Sequence, residues 1–552
     1  MSLRTDPRAR PQRSPRWPRV SQVVGAAPRS GELRANPGNA AAPRVQAEPP
    51  GKAGVARISI RHDPRRVPNS GKSAQVAAHF GLPHCGAPTL RLERLQIPLA
   101  AGRIVLLTGP SGSGKSSVLD ALTRQFPSAA IVSRIPFPSG VPIIDAVAPY
   151  GDFAEAARFL TGAGLGEPRL WLHSVEELSE GERFRARLAQ AISTCGDRRG
   201  AIPILCDEFC SVLHRRAAKA VSFNLRKLVT RLRLCLVVAT SHDDLETDLQ
   251  PDTIVRMSGA GRFGVEHAAN QPNRPVSFFE NLVIEPGCKA NYDEFAGMHY
   301  RATDELGFVD KVFVLRDRGN ALTPGALPTR AMPYRDLRFA SAALGPSPSL
   351  SQGEKGTVGI VVYAHSPLEL RLRNEATEGR FCRDAHRLNR EMRIVRRLVI
   401  HPDVRGCGLG HTLVRKTLPR VGTEFVECLS TLGAFNPVFE KAGMERIGRY
   451  ERSAAQNGAL IELNSMDIDC HGADFVEHVA RNQRVRTLVM RTVREWYSGT
   501  TGGGKARVDR QSPQVLAQTF RGLVSCRPVY YLWQNEKRRS DESHGATKGK
   551  NC

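Results

Sequence analysis

The 552-residue sequence contains no apolar run approaching the ~18 residues that a bilayer-spanning helix requires. The longest runs, such as Ile104 to Leu107 and Leu234 to Ala239, have the length of core strands, so no membrane span is expected. No CxxC pair occurs among the 12 cysteines, which argues against a disulfide framework or a zinc site and for a reducing, cytoplasmic setting. No internal repeat is found. Acidic residues are in short supply, with 54 Asp and Glu against 79 Lys and Arg and a formal net charge of +25. That deficit suggests a polyanionic partner, although charge alone speaks to non-specific attraction. Residues 1 to 66 hold 14 Lys/Arg and 4 Asp/Glu, and residues 499 to 552 hold 10 and 4, so most of the excess lies in terminal arms able to tether nucleic acid. What is present is ordinary for globular protein: 41% hydrophobic and 24% charged residues, over a length that suits three or four folding units.

Composition divides the chain. Residues 1–54 are Pro, Arg, Ala and Gly with little apolar periodicity, and are expected to be a disordered basic arm. The prolines interrupt any amphipathic helix, which favours an arm over a transit peptide. Two strand-like stretches, Ala56 to Arg61 and Thr89 to Ile97, flank a helical pattern at Ser73 to Phe80. Pro, Gly, Ala and Ser accumulate from Ala321 to Ser351, which predicts a long loop. A helical pattern runs from Phe475 to Tyr497, and an apolar patch at Val529 to Trp533 predicts an edge strand. The expected boundaries are 55–270 for a first α/β domain, 277–465 for a second, 466–535 for a helical C-terminal extension and 536–552 for a flexible tail.

The strand pattern Arg103 to Thr108 runs into Gly109-Pro-Ser-Gly-Ser-Gly-Lys-Ser116, which fits GxxxxGKS at every fixed position. Glycines let backbone N–H groups curl around phosphate oxygens, a Lys reaches the β/γ-phosphates, and a hydroxyl ligates Mg²⁺. The phosphate-binding set is therefore Gly109, Ser111, Gly112, Gly114, Lys115, Ser116 and Ser117, with Ser116 on the metal. Four further landmarks follow in order: Leu178-Ser-Glu-Gly-Glu182 before a basic helix, Ile202 to Glu208 as an apolar strand ending in two carboxylates, Ser211 to His214, and an apolar strand delivering His242. This series resembles the ABC ATPase superfamily, with an LSGGQ-like signature, a Walker B strand, a D-loop and a switch histidine. The resemblance implies that Asp207 holds Mg²⁺, that Glu208 polarises the attacking water and that His242 contacts the γ-phosphate. It also implies an ATP-dependent head-to-tail homodimer in which Ser179 and Gly181 of one copy close over the ATP of the other. Departures are Glu180 and Glu182 in place of Gly and Gln, which puts two acidic groups near a polyphosphate, and His214 in place of the D-loop Asp. The 64 residues from Lys115 to Ser179 are few for a full helical subdomain, so a soluble ATPase is expected in preference to a transport engine.

A second glycine turn follows the strand pattern Val395 to Pro402. Arg405-Gly-Cys-Gly408-Leu-Gly410 opens an apolar-periodic helix, so successive N–H groups around Arg405, Gly406, Gly408 and Gly410 are placed to approach a diphosphate without a metal. With a strand at Glu424 to Leu429 and then Asn436-Pro-Val-Phe-Glu-Lys-Ala-Gly443, it resembles the GNAT N-acetyltransferase family over roughly Ser277 to Tyr450. The whole chain then reads as α/β, a P-loop ABC-type ATPase domain followed by a GNAT-like mixed α/β acyltransferase domain. The resemblance implies acetyl-CoA as cofactor beside ATP and Mg²⁺, an unassigned amine acceptor, and splayed fourth and fifth strands around the pantetheine arm. Asn436 is expected to cap the helix that starts at Pro437. Glu391 and Glu427 are candidate general bases by position, with a surface role the alternative for each. Phe439 stands where many members carry a proton-donating Tyr, so either another group such as the Cys428 thiol acts or the domain binds without transferring. The competing reading is a nucleic-acid-binding ABC-type ATPase whose GNAT-like domain is a non-catalytic binding module.

Overall fold

The computed structural model describes residues 44–47, 54–61, 70–82, 91–196, 202–268, 274–298, 306–318, 356–500 and 508–535. The arm expected over 1–54 is corrected at 44–47, which form a strand paired with the chain after residue 54. The rest of that arm up to residue 53, the loop expected over 321–351 and the tail expected over 536–552 lie outside the described residues. Two compact units divide the chain. The smaller contributes helix α1 (Gly71–Phe80), whose first turn is closed by a Ser70–Ser73 capping box and whose end is set by Gly81 at φ 61°.

The larger unit begins with an antiparallel sheet of β1 (Arg44–Ala47), β2 (Val55–Arg61) and β3 (Arg91–Pro98). Next come β4 (Arg103–Thr108), α2 (Lys115–Gln125), β5 (Ala130–Ile131), α3 (Ile143–Val147), α4 (Phe153–Gly162), α5 (Glu180–Gly196) and β6 (Pro203–Cys206). Then follow α6 (Arg215–Leu232), β7 (Cys235–Thr240), α7 (Glu246–Leu249), β8 (Thr253–Gly259) and β9 (Arg262–His267). These strands form one sheet in the order β5-β6-β7-β4-β8-β9, parallel except for β9 on its edge. Strand alternation builds a core on each face. Val105 and Leu107 pack with Ile58, Ile97 and the α2 residues Val118 and Leu122, while Ile104 and Leu106 join α4, α5 and α6. Because β7 slots between β4 and β6, the ends of three strands far apart in sequence stand side by side at the carboxyl edge.

A second sheet contains β10 (Leu282–Gly287), β11 (Val309–Asp317), β12 (Thr357–Ala364), β13 (Met392–Ile400), β14 (Phe425–Ser430), β15 (Glu445–Arg449) and β16 (Val529–Gln534). Helices α8 (Asp293–Ala296), α9 (Arg371–Ala376), α10 (Ala385–Glu391), α11 (Leu409–Val421) and α12 (Val438–Lys441) accompany it. The strand order is β10-β11-β12-β13-β14-β16-β15, antiparallel throughout except for β13 and β14. That parallel pair touches only from Met392/Phe425 to Ile394/Glu427 and then parts.

Three expectations about the C-terminal part need correction. The apolar patch at Val529 to Trp533 is not an edge strand: β16 lies between β14 and β15, with Val529, Tyr530 and Tyr531 fully buried. Its run of consecutive apolar residues suits a strand covered on both faces. The residues before it are therefore not a C-terminal extension. Helices α13 (Ala454–Ser465), α14 (Phe475–Arg481), α15 (Gln483–Thr500) and α16 (Pro513–Ser525) form a separate core inserted between two strands of the sheet. The single helix expected from Phe475 to Tyr497 is broken at Asn482, whose side chain accepts from the N–H groups of Arg484 and Val485.

Helix α6 joins the two sheets. Val221, Leu225, Leu228 and Val229 face the first core, and Arg226 forms a buried ion pair with Asp252 at 2.7 Å. A stripe of helical period, Arg216, Ala220, Phe223, Asn224 and Lys227, meets the second half of the chain. Arg216 pairs with Asp317 at 2.7 Å, Ala220 and Phe223 enter the core around Leu409 and Leu413, and Asn224 Nδ2 donates to the Arg405 carbonyl at 2.9 Å.

Candidate functional site

The loop from β4 to α2 has the backbone that a phosphate cradle needs. Gly109 sits at φ 143°, and a Cβ there would lie 2.0 Å from the Met257 carbonyl oxygen, so only glycine fits. Ser111, Gly112 and Ser116 are solvent-exposed around the loop, Gly114 is the N-cap of α2, and Ser117 follows in its first turn. The hydroxyl of Ser113 is buried and finds no partner among the described residues. Lys115 folds back over its own loop, donating to the carbonyls of Gly109 at 2.7 Å and Pro110 at 2.9 Å. Burial lowers its pKa and attraction to Asp207 opposes the shift. An orphaned hydroxyl, a lysine paired with nothing better than carbonyls and the first turn of α2 together fit the phosphates of ATP. Ser116 and Asp207 are the residues that would hold Mg²⁺ beside them.

The remaining groups converge because of strand order. Asp207 and Glu208 leave β6, Glu208 adopts φ 47°, and its N–H donates to Asp207 Oδ1 at 2.9 Å. His242 leaves the neighbouring β7, its N–H held by Thr240 Oγ1 at 3.1 Å. Burial and then the Arg215 guanidinium lower the His242 pKa against the pull of Asp243. Thr108 at the end of β4 donates to Asp243 at 3.3 Å, tying the two loops together. His214 is the N-cap of α6, and Arg215 pairs with Asp244.

The signature segment differs from its sequence reading. Glu182 does not project toward a neighbouring polyphosphate but turns back to close the first turn of α5, accepting the Ser179 hydroxyl at 2.7 Å. Of the two acidic groups, only Glu180 is exposed.

In the second half, Gly406 and Gly408 both have φ 85°, and Gly408 is the N-cap of α11. The turn is nevertheless not an open cradle. A Cβ on Gly406 would lie 2.4 Å from Asn224 Nδ2, because α6 leans on it, while Lys227 approaches the Gly406 carbonyl at 3.5 Å. Arg405 points away from any diphosphate. Its buried guanidinium donates to the carbonyls of Ile400 at 2.8 Å, Gly166 at 2.8 Å and Met298 at 3.0 Å, riveting the two halves together. The residues as placed do not fit the diphosphate of acetyl-CoA. Gly410 packs near Val438. Asn436 is exposed and caps nothing: its N–H donates to the Leu432 carbonyl, and α12 starts one residue later than expected, with Pro437 as N-cap.

The two candidate bases separate. Glu391 is tied to Arg380, Arg387 and Arg390, and although burial alone would raise its pKa, these hydrogen bonds hold it below the usual range. A carboxylate kept ionised by three guanidiniums is a poor proton acceptor. Glu427 stands at the last position of β14 that pairs with β13, fully buried, accepting from Tyr530 Oη at 2.8 Å and Arg373 at 3.3 Å. Burial raises its pKa against the opposing charge of Arg373. Burial also pushes the Cys428 thiol up, which makes it a reluctant acid. Tyr531, which the sequence places only in an apolar strand pattern, packs 5.4 Å from the Phe439 ring and donates to the Gly433 carbonyl and Glu440, each at 3.2 Å. Only strand pairing brings it there.

The P-loop, with the carboxylates at the end of β6 beside it, makes this a P-loop nucleotide-binding domain that resembles those of ABC ATPases. Residues 90–238 match the model of the AAA ATPase domain family. The tylosin resistance ATP-binding protein TlrC of Streptomyces fradiae is 30% identical over 188 residues, which are 32% of this chain and 31% of that protein. The matched region thus spans about a third of the length of this curated relative. Among solved structures, the dimeric MJ0796 bacterial ABC transporter cassette covers 33% of this chain and 93% of its own, at 18% identity and a TM-score of 0.27. A bacterial Atm1-family ABC exporter with ATP bound covers 41% and 40%, at 20% identity and a TM-score of 0.27. Among the described residues no helix is long and apolar enough to cross a membrane, and no cluster of His, Cys, Asp and Glu suits a metal ion.

Proposed function

We propose that this chain is an ATP-hydrolysing ABC-type protein that works as an ATP-dependent homodimer. Its second half is an acetyl-CoA-binding domain of the GNAT kind, and nucleotide gates acetyl transfer to an amine. The observation that carries the reading is α6. Its N-cap, His214, lies seven residues past Asp207, and its side reaches the glycine turn, where Asn224 fills the space beside Gly406. The parting of β13 from β14 at Ile394/Glu427 supports the second half being an acyl-CoA domain. Because α6 closes the turn, the reading requires that nucleotide-driven movement of the helix lift Asn224 away before acetyl-CoA enters.

Calorimetric titration of the full chain tests this. Acetyl-CoA is expected to bind at least about tenfold more tightly with Mg²⁺ and a non-hydrolysable ATP analogue than without, a coupling of ordinary allosteric size. Asn224→Ala should raise the nucleotide-free affinity toward the nucleotide-bound value. Equal affinities in the two states would sink the gating.

A second reading is favoured by Arg405 and Phe439. With the guanidinium spent on three carbonyls and a phenyl ring in the tyrosine place, the second half is a non-catalytic binding module on a nucleic-acid-stimulated ATPase. Absence of acetyl-CoA binding in both nucleotide states, with ATP hydrolysis accelerated by RNA or DNA, is its signature.

A further inference from the structure

The N-terminus of α5 already holds an anion of its own. Ser179 Oγ donates to Glu182 Oε2 at 2.7 Å, Ser179 N–H donates to the same oxygen at 3.0 Å, and Glu182 N–H donates to Ser179 Oγ at 3.4 Å. Glu182 is only 3% exposed. A 17-residue helix carries partial positive charge at its first turn, and a buried carboxylate there neutralises it. The neighbouring guanidiniums make their hydrogen bonds to carbonyls, although the Arg185 charge still attracts Glu182. Arg185 donates to the carbonyls of Gly181 and Gly164, and Arg183 to those of Val175 and Leu178.

We propose that Glu182 is a positioning residue that competes with nucleotide for the signature helix and thereby sets how tightly ATP holds two copies together. The inference rests on the dimer reading, in which Ser179 and the first turn of α5 meet the partner's triphosphate. Ser179 has one hydroxyl proton and gives it to Glu182. An arriving γ-phosphate must break that bond and lie beside a like charge. The fold of the turn does not require the charge, since a capping box accepts Gln as well as Glu at this position. Glu180, exposed on the same turn, is screened by solvent and opposes the phosphate less.

Glu182→Gln separates charge from structure. In sedimentation of the full chain with Mg²⁺ and a non-hydrolysable ATP analogue, this variant is expected to dimerise at about tenfold lower protein concentration than the parent, because each of the two copies loses one charge at a helix terminus. The gap should narrow as salt is added, because screening weakens the repulsion, and the melting temperature should fall only slightly, by the lost charge–dipole interaction, because the cap survives. Glu182→Ala should melt earlier, having lost the cap, yet still dimerise more tightly than the parent. If parent and Glu182→Gln dimerise equally, the role of Glu182 is overturned and the dimer stands. If neither associates with nucleotide, both fall together.

Discussion

Glu208→Gln is expected to leave ATP bound and to slow its hydrolysis by roughly 10²- to 10⁴-fold, the range for removing a positioned general base. The side chain's place is imposed by the backbone. Strand β6 is buried along its whole length, and Phe209 N–H donates to the Ala239 carbonyl of β7 at 2.8 Å. Between these anchors Glu208 is held at φ 47°, an uncommon conformation for a residue with a side chain and one that collects at functional sites. Gln keeps the shape and the backbone bond to Asp207 while removing the proton acceptor. Lys115→Ala provides the contrast, because it removes the cation that now rests on the Gly109 and Pro110 carbonyls and should abolish tight binding itself. Binding of a fluorescent ATP analogue alongside phosphate release separates the two effects. Unchanged turnover in Glu208→Gln would remove Glu208 from the mechanism.

The P-loop was legible because phosphate chemistry fixes residue types at short spacing. Glycine must sit at Gly109, where a carbonyl lies against the missing Cβ, and apolar periodicity announces β4 and α2 on either side. The carboxylate pair at Asp207 and His242 belong to different strands, and motif order alone suggested their meeting; β7 entering between β4 and β6 brings it about. The capping box at Ser179 is also legible, as S-x-x-E, and the same residues carry the likeness to a signature.

The second half was less legible for a physical reason. A glycine turn before a helix looks the same whether it approaches a ligand or another helix, since either demands a backbone without side chains. Here another helix comes close, and the stripe Arg216, Ala220, Phe223, Asn224 and Lys227 that does so is polar enough to pass for a solvent face. Contacts between residues nearly two hundred positions apart leave no local pattern. The same holds for Arg405, whose partners Gly166 and Met298 lie in two other segments.

The largest stability effect is expected at Arg373, in the network around Glu427. Arg373 is fully buried and donates to the Pro367 carbonyl at 2.7 Å, to the Leu368 carbonyl and to Glu427. Replacing it by Met leaves a carboxylate in the sheet interior with only the uncharged hydroxyls of Tyr530 and Ser366 beside it among the described residues, at a cost of about 3–5 kcal/mol. The pH dependence identifies the cause. Burial raises the folded-state pKa of Glu427, and Arg373 is the charge that opposes the rise. Without Arg373 the folded chain holds the proton more strongly than the unfolded chain does, so the penalty is smallest in acid and grows as pH rises through the folded-state pKa. Hydrogen exchange of peptides covering β14 and β16 reads this locally, and their protection should fall in Arg373→Met more at pH 8 than at pH 5 once intrinsic rates are corrected. The double change Arg373→Met with Glu427→Leu removes both charges and should recover most of the loss. A penalty independent of pH, or no recovery in the double variant, would mean that Arg373 acts through packing and not through Glu427.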